Sequence, residues 1–250
     1  MHGLETMNRM ESEVRGYVRA FPVVFERAHG STLVDEDGRE YLDFFAGAGV
    51  LNYGHNNPAF IEALQQYLAD GGIMHGLDMA TVAKRNFLEL LDEKILKPRG
   101  LNYKVQFTGP TGANVVEAAL KVARQATGRS NVVAFTNGFH GLSMGALAAT
   151  ANAKYRRAGG ATLPEVTRLP YDRYLGEDFD TLDLFEKMLE DTGSGLDLPA
   201  AVIVETIQGE GGLNAARSEW LKRLREITER HEILLIIDDL SLIHISEPTR

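Results

Sequence analysis

The chain has 250 residues, 44% hydrophobic and 24% charged, enough for one large globular domain or one and a half. A net charge of −9 and a pI near 5.3 offer no electrostatic footing for nucleic acid, so no nucleic-acid partner is expected. The absence of cysteine excludes disulfides and thiolate sites, and seven histidines without ligand spacing argue against a metal centre.

The opening MHGLETMNRMESEVRG mixes both charge signs, lacks the apolar stretch of a secretory signal, and predicts a frayed lead over 1–14. The longest apolar runs, 198–204 and 233–237, are far too short to cross a bilayer, so a cytoplasmic protein with no membrane partner is expected. Between 21 and 45, VVFERAHG, STLVDEDG and REYLDFF predict strands, with DEDG at 35–38 as a hairpin turn. The glycine-rich AGAGVLNYGHNNP follows, a loop in which backbone can approach a ligand closely. Asn57 as cap and Pro58 at the first position predict a helix that ends at Gly71 and Gly72, and a second helix is expected at about 79–95.

The run 103–107 reads as a strand, closes in a GPTG turn, and leads directly into a helix over about 112–127. There Val115, Val116, Ala119 and Leu120 keep helical spacing. Such a junction turns free N–H groups and the positive end of a helix dipole towards one point, which suits an anion; a plain strand–helix connection is the other reading. Further strands are expected at 131–136, 200–206 and 233–238, alternating with helices at 180–190 and 218–231. Short, continuously apolar strands are covered on both faces, which predicts an α/β fold with a mainly parallel sheet flanked by helices. The expected division is a small N-terminal α+β segment over 1–60 and an incomplete large domain over 61–239. A tail over 240–250, LSLIHISEPTR, resembles translated vector or adapter sequence, because a central parallel strand should lead into another crossover.

Ligands of open α/β sheets gather beyond the carboxyl ends of the strands. Four such ends carry chemistry here: the GPTG turn; NGFHG at 137–141, with Phe139 and His140 held between glycines; ETIQGEGG at 205–212, with Glu205 and Glu210; and Asp238, an acid closing five apolar residues. A core aromatic, a solvated loop and a helix cap are the plain alternatives. Taken in this order, the four suit a ligand with a phosphate, a flat ring and a protonatable ring nitrogen, which is pyridoxal 5′-phosphate.

The segments FPVVFERAHG, YLDFFAGAGVLNYGHNNP, QFTGPTGANVVEAALKVAR, TNGFHGLSMGALAAT, VETIQGEGG and LLIIDD resemble class-III aminotransferases of fold type I, over about 13–239. The resemblance implies that Gly109, Thr111 and Gly112 bind the cofactor phosphate, Phe139 stacks on the ring beside His140, and Asp238 pairs with the pyridine nitrogen. It makes Glu210 the acid that partners a switching arginine and Glu205 a second acid near the cofactor. It places Tyr53, with 45–50, in a substrate pocket completed across a homodimer interface. Amino-acid and oxo or aldehyde substrates follow from the same resemblance.

The chain departs from the family in three ways. GPTG replaces the Ser-Gly-Thr/Ser-Glu-Ala turn of many members, and Pro110 donates no N–H. The Schiff-base lysine has no counterpart: none of the lysines at 84, 94, 97, 104, 121, 154, 187 and 222 matches its motif. Ser241 stands near the family's glutamine, and the switching arginine and C-terminal small domain are missing. The chain as written is therefore expected not to transaminate. Ornithine and 4-aminobutyrate aminotransferases and glutamate-1-semialdehyde aminomutase remain alternatives within the class. Outside it stand a nucleotide-binding module, disfavoured by the lack of G-x-G-x-x-G, and a fragment left unfolded by its raw sheet edge.

Overall fold

The computed structural model describes residues 3–14, 21–163 and 165–239. The expectations for 240–250, Ser241 among them, fall outside these residues. The chain divides into two compact units, one running to Val105 and the other beginning at Gln106, later than the boundary expected near residue 60.

The first unit begins with α1 (Gly3–Met10), a formed helix where a frayed lead was expected. Strands β1 (Phe25–His29), β2 (Thr32–Asp35) and β3 (Glu40–Leu42) form an antiparallel meander with Phe25 opposite Asp35 and Thr32 opposite Leu42. Asp35 holds the hairpin. Its carboxylate accepts from the Asp37 and Arg39 amides at 3.0 and 2.8 Å and from the Tyr41 hydroxyl at 2.9 Å.

Helix α2 (Pro58–Ala69) starts as expected, with the Asn57 side chain accepting from the Ala59 amide and proline in the first turn. Helix α3 (Val82–Leu91) is capped by Thr81 and continues as a π-helical turn over Asp92–Leu96. Asp35 is the one buried residue among the described residues of this unit. Phe60, Leu64 and Leu68, one apolar row of α2, stand exposed.

The second unit contains the parallel sheet. Helix α4 (Gly112–Thr127) precedes β4 (Val132–Phe135). Helices α5 (Met144–Ala149) and α6 (Ala153–Ala158) lead to β5 (Val166–Leu169), and α7 (Thr181–Glu190) leads to β6 (Ala201–Val204). A two-residue hairpin, β7 (Ile207–Gln208) with β8 (Asn214–Ala215), and α8 (Ser218–Arg230) separate β6 from β9 (Leu234–Ile237). The sheet order is β5-β4-β6-β9, every pair parallel.

Alternation along β4 divides the core. Val133 and Phe135 pack with Leu182 and Phe185 of α7 and with Trp220, Leu224 and Ile227 of α8. Val132 and Ala134 pack on the other face with Val116 and Leu120 of α4 and Ala146 and Ala149 of α5. Helices thus cover both faces, as continuous apolar strands require.

The expected strand at 103–107 does not form. Its alternating Tyr103, Val105 and Phe107 are exposed, and none of the described strands pairs with it. Alternation without a neighbouring strand leaves a backbone with no ladder to join. Strand β5, which was not expected, is broken in the sequence pattern by Thr167 and Arg168.

Candidate cofactor site

Thr111 caps α4. Its side chain accepts from the Asn114 amide at 3.3 Å, while the amides of Gly112 and Ala113 find no acceptor among the described residues. Free first-turn N–H groups at the start of a 16-residue helix present the electropositive end that suits an anion. Gly109 lies beneath the Asn114 side chain, which occupies the space a Cβ would need.

Phe139 and His140 follow β4. The Phe139 ring is half-buried and meets Tyr155 edge to face, with centroids 5.6 Å apart. The Phe139 amide donates to Glu205 Oε1 at 2.8 Å. His140 is buried; its amide donates to Thr150 Oγ1 at 3.0 Å, and its Nδ1 lies 2.7 Å from Asp238 Oδ2. Because a carboxylate only accepts, the shared proton is carried on Nδ1. Asp238 itself is fixed by its amide, which donates to Val204 O at 2.9 Å and continues the β6–β9 ladder one residue past the strand.

Glu205 is buried at the end of β6 and also accepts from the Gly209 amide at 3.3 Å. Burial pushes its carboxyl above the ordinary range, against the opposing pull of the Phe139 amide. The folded state therefore holds this proton more tightly than the unfolded chain, and this group's contribution to stability falls as pH rises through the window above the ordinary glutamate value. Glu205→Gln keeps an acceptor for the Phe139 amide, turns its NH2 towards the Gly209 amide at a cost that does not vary with pH, and removes that dependence. Urea titrations across pH 4 to 8 are expected to show the variant gaining on the parent as pH rises, and a constant difference would contradict the assignment.

Glu210 is exposed, on the wall of a cavity of about 230 Å³ that it shares with Asn137, Phe139, Asn152 and Tyr155. Phe139, His140, Glu205, Glu210 and Asp238 are thus brought together at the carboxyl ends of β4, β6 and β9. The start of α4 joins them through Gly141. That residue has φ +126°, and a Cβ there would sit 2.9 Å from Ala113 Cβ. Tyr53 lies in the first unit, exposed and edge-on to Phe60 at 5.4 Å. Its loop is anchored by Asp43, whose carboxylate accepts from the Phe45 and Ala46 amides, each at 2.9 Å, and meets His55 Nε2 at 2.7 Å.

Three participants were not found from sequence. Thr150 bridges the His140 amide and the Gly141 carbonyl, Tyr155 supports Phe139, and the Tyr171 hydroxyl donates to Glu205 O at 2.8 Å. Thr150 closes the TNGFHGLSMGALAAT segment and Tyr155 and Tyr171 lie within no motif, and only a three-dimensional neighbour distinguishes the three from core residues. Among the described residues no group of acidic and histidine side chains could hold a metal ion, and no helix is long and apolar enough to cross a membrane.

A family model described as aminotransferase class-III matches residues 14–241. A diaminobutyrate–2-oxoglutarate transaminase of Bordetella parapertussis is 61% identical over 239 residues, covering 96% of this chain and 55% of that protein. A transaminase of the same name from Halomonas elongata is 60% identical over 237 residues, covering 94% of this chain and 56% of its own length. Among solved structures, a PLP-bound amine transaminase from an uncultivated Pseudomonas species superposes with a TM-score of 0.73 at 26% identity, over 93% of this chain and 55% of that one. The chain spans about half the length of the curated relatives it matches. The chain belongs to the class-III aminotransferase family.

Proposed function

We propose that this chain carries the cofactor-binding half of a diaminobutyrate–2-oxoglutarate aminotransferase, which moves the amino group of L-glutamate to L-aspartate 4-semialdehyde. The products are L-2,4-diaminobutyrate and 2-oxoglutarate, and the cofactor is pyridoxal 5′-phosphate. The observation that carries the reading is the meeting of His140, Asp238 and Glu205 behind Phe139, in a chain 61% identical to a transaminase of that name.

The donor set fits the cofactor. The free amides of Gly112 and Ala113, with the Thr111 hydroxyl beside them, suit a phosphate dianion. Gly138 keeps a cradle open next to the ring-facing pair: a Cβ there would lie 3.2 Å from His140 Nε2 and from Phe135 O. When bound, pyridoxal phosphate supplies the electron sink and carries the amino group between substrates.

The protein's part is to hold and orient. Thr111 and Gly112 anchor the phosphate, with Gly109 giving the turn its close approach, and Phe139 covers the ring face. Asp238 holds a proton on the ring nitrogen, and His140 fixes the orientation of its carboxylate through the 2.7 Å contact. Glu210 meets the substrate side of the cavity, and Glu205 tethers the loops that carry Phe139 and Gly209.

The exposed row Phe60, Leu64 and Leu68, in a unit with almost nothing buried, supports a homodimer in which a second copy covers this surface and Tyr53 reaches a substrate pocket. Expressed at the length of its relatives, the protein is expected to form 2,4-diaminobutyrate from glutamate and aspartate semialdehyde. Chromatography of the products checks this, and higher turnover with ornithine or 4-aminobutyrate would overturn the substrate assignment.

A further inference from the structure

Helix α5 is only six residues long, yet the loop around it is closed on itself. The Ala151 amide donates to Gly138 O at 2.8 Å, the His140 amide to Thr150 Oγ1 at 3.0 Å, and the Thr150 hydroxyl to Gly141 O at 3.0 Å. Phe139 and His140 therefore sit on a ring of chain from Gly138 to Ala151 that these three bonds close.

One side chain of α4 hydrogen-bonds to that ring among the described residues. Glu117 Oε1 accepts from Ser143 Oγ at 2.7 Å, the Gly145 amide at 2.8 Å and the Ala146 amide at 3.1 Å. Gly145 is the residue this closeness requires, since a Cβ there would collide with the Glu117 carboxylate. The carboxylate also satisfies donors that open α5, at the helix end where negative charge is favoured. These bonds hold its pKa below the ordinary range although burial opposes them. Two turns of α4 thus carry separate duties: its first turn presents the free amides of Gly112 and Ala113, and Glu117 holds the ring of chain bearing Phe139 and His140.

We propose that Glu117 is a positioning residue that fixes the spacing between the phosphate-binding start of α4 and the ring-facing pair Phe139 and His140. The inference rests on the cofactor reading above. A ligand that needs both ends feels the latch, and one that needs only the anion end does not.

Calorimetric titration of the chain with pyridoxamine 5′-phosphate and, separately, with inorganic phosphate reads this difference. Glu117→Ala is expected to weaken pyridoxamine phosphate about tenfold or more, equivalent to about 1.4 kcal/mol, and to leave inorganic phosphate within about twofold. Glu117→Gln, whose amide oxygen still accepts from Ser143 and both amides, is expected to restore binding. A role in stability alone would weaken both ligands together, in step with the unfolding midpoint, and that result would overturn the inference, as would unchanged pyridoxamine phosphate binding. Should Glu117→Ala lose its far-UV signal, Glu117→Asp reads the same comparison, because it keeps the charge but withdraws it by one methylene. A parent chain that binds no pyridoxamine phosphate would overturn the cofactor reading and the inference together; a parent that binds while the variants match it would overturn the inference alone.

Discussion

Asp238→Asn is expected to weaken pyridoxamine 5′-phosphate binding by roughly ten- to a hundredfold, since a hydrogen bond to a charged group contributes about 1.5–3 kcal/mol. The carboxylate has two acceptor oxygens, and His140 Nδ1 takes one of them at 2.7 Å. An asparagine amide offers a single acceptor atom. If His140 claims it, the atom left for the protonated ring nitrogen is a donor, and attraction becomes repulsion. If the ring claims it, buried His140 loses its partner. Neither arrangement touches the start of α4, so inorganic phosphate should bind the variant as it binds the parent. Titration calorimetry with both ligands checks this, and equal losses for the two would place Asp238 outside the ring's environment.

Phe135→Ala acts on the fold beneath the site and is expected to cost about 3–5 kcal/mol of unfolding free energy. Phe135 is 2% exposed, at the carboxyl end of β4. Its ring meets Trp220 at 5.2 Å and Tyr171 at 6.0 Å, both edge to face, and those two lie 5.4 Å from each other. The three rings join β4, the segment after β5, and α8. Trp220 is pinned by its Nε1 bond to Thr181 Oγ1 at 2.9 Å, so the surroundings have little freedom to close over the cavity. Tyr171 also donates to Glu205 O, so a loosened ring cluster reaches the acid behind Phe139. Urea denaturation followed by Trp220 fluorescence measures the cost, and a loss under about 1 kcal/mol would show that the cluster repacks.

The parts of this molecule legible in its sequence are those governed by neighbours along the chain. The helix α4 begins at Gly112 and ends at Thr127 because Thr111 can cap it and Gly128 can adopt the left-handed conformation that closes it. The start of α2 at Pro58 follows equally from Asn57. The continuously apolar β4 and β6 announced a sheet covered on both faces, and the two core clusters show that coverage.

What escaped was set by distant partners. The alternation at 103–107 specified a strand, but no described strand pairs with it. Glu117 reads as an ordinary polar position of an amphipathic helix, because the groups that engage it lie 26 to 29 residues further on. The pair of His140 and Asp238 spans 98 residues. The sequence nominated both residues for one ligand, but it did not show that they would first meet each other.

The most direct test of the central claim is to titrate the chain, as it is, with pyridoxal 5′-phosphate while following its thermal unfolding, with NAD and ATP as parallel arms. A cofactor that binds the folded state raises the midpoint in proportion to the logarithm of its concentration over Kd. Such a rise is expected with pyridoxal phosphate, a smaller one at the same concentration in Asp238→Asn, and no rise with either nucleotide. A midpoint indifferent to pyridoxal phosphate but raised by NAD or ATP would contradict the account.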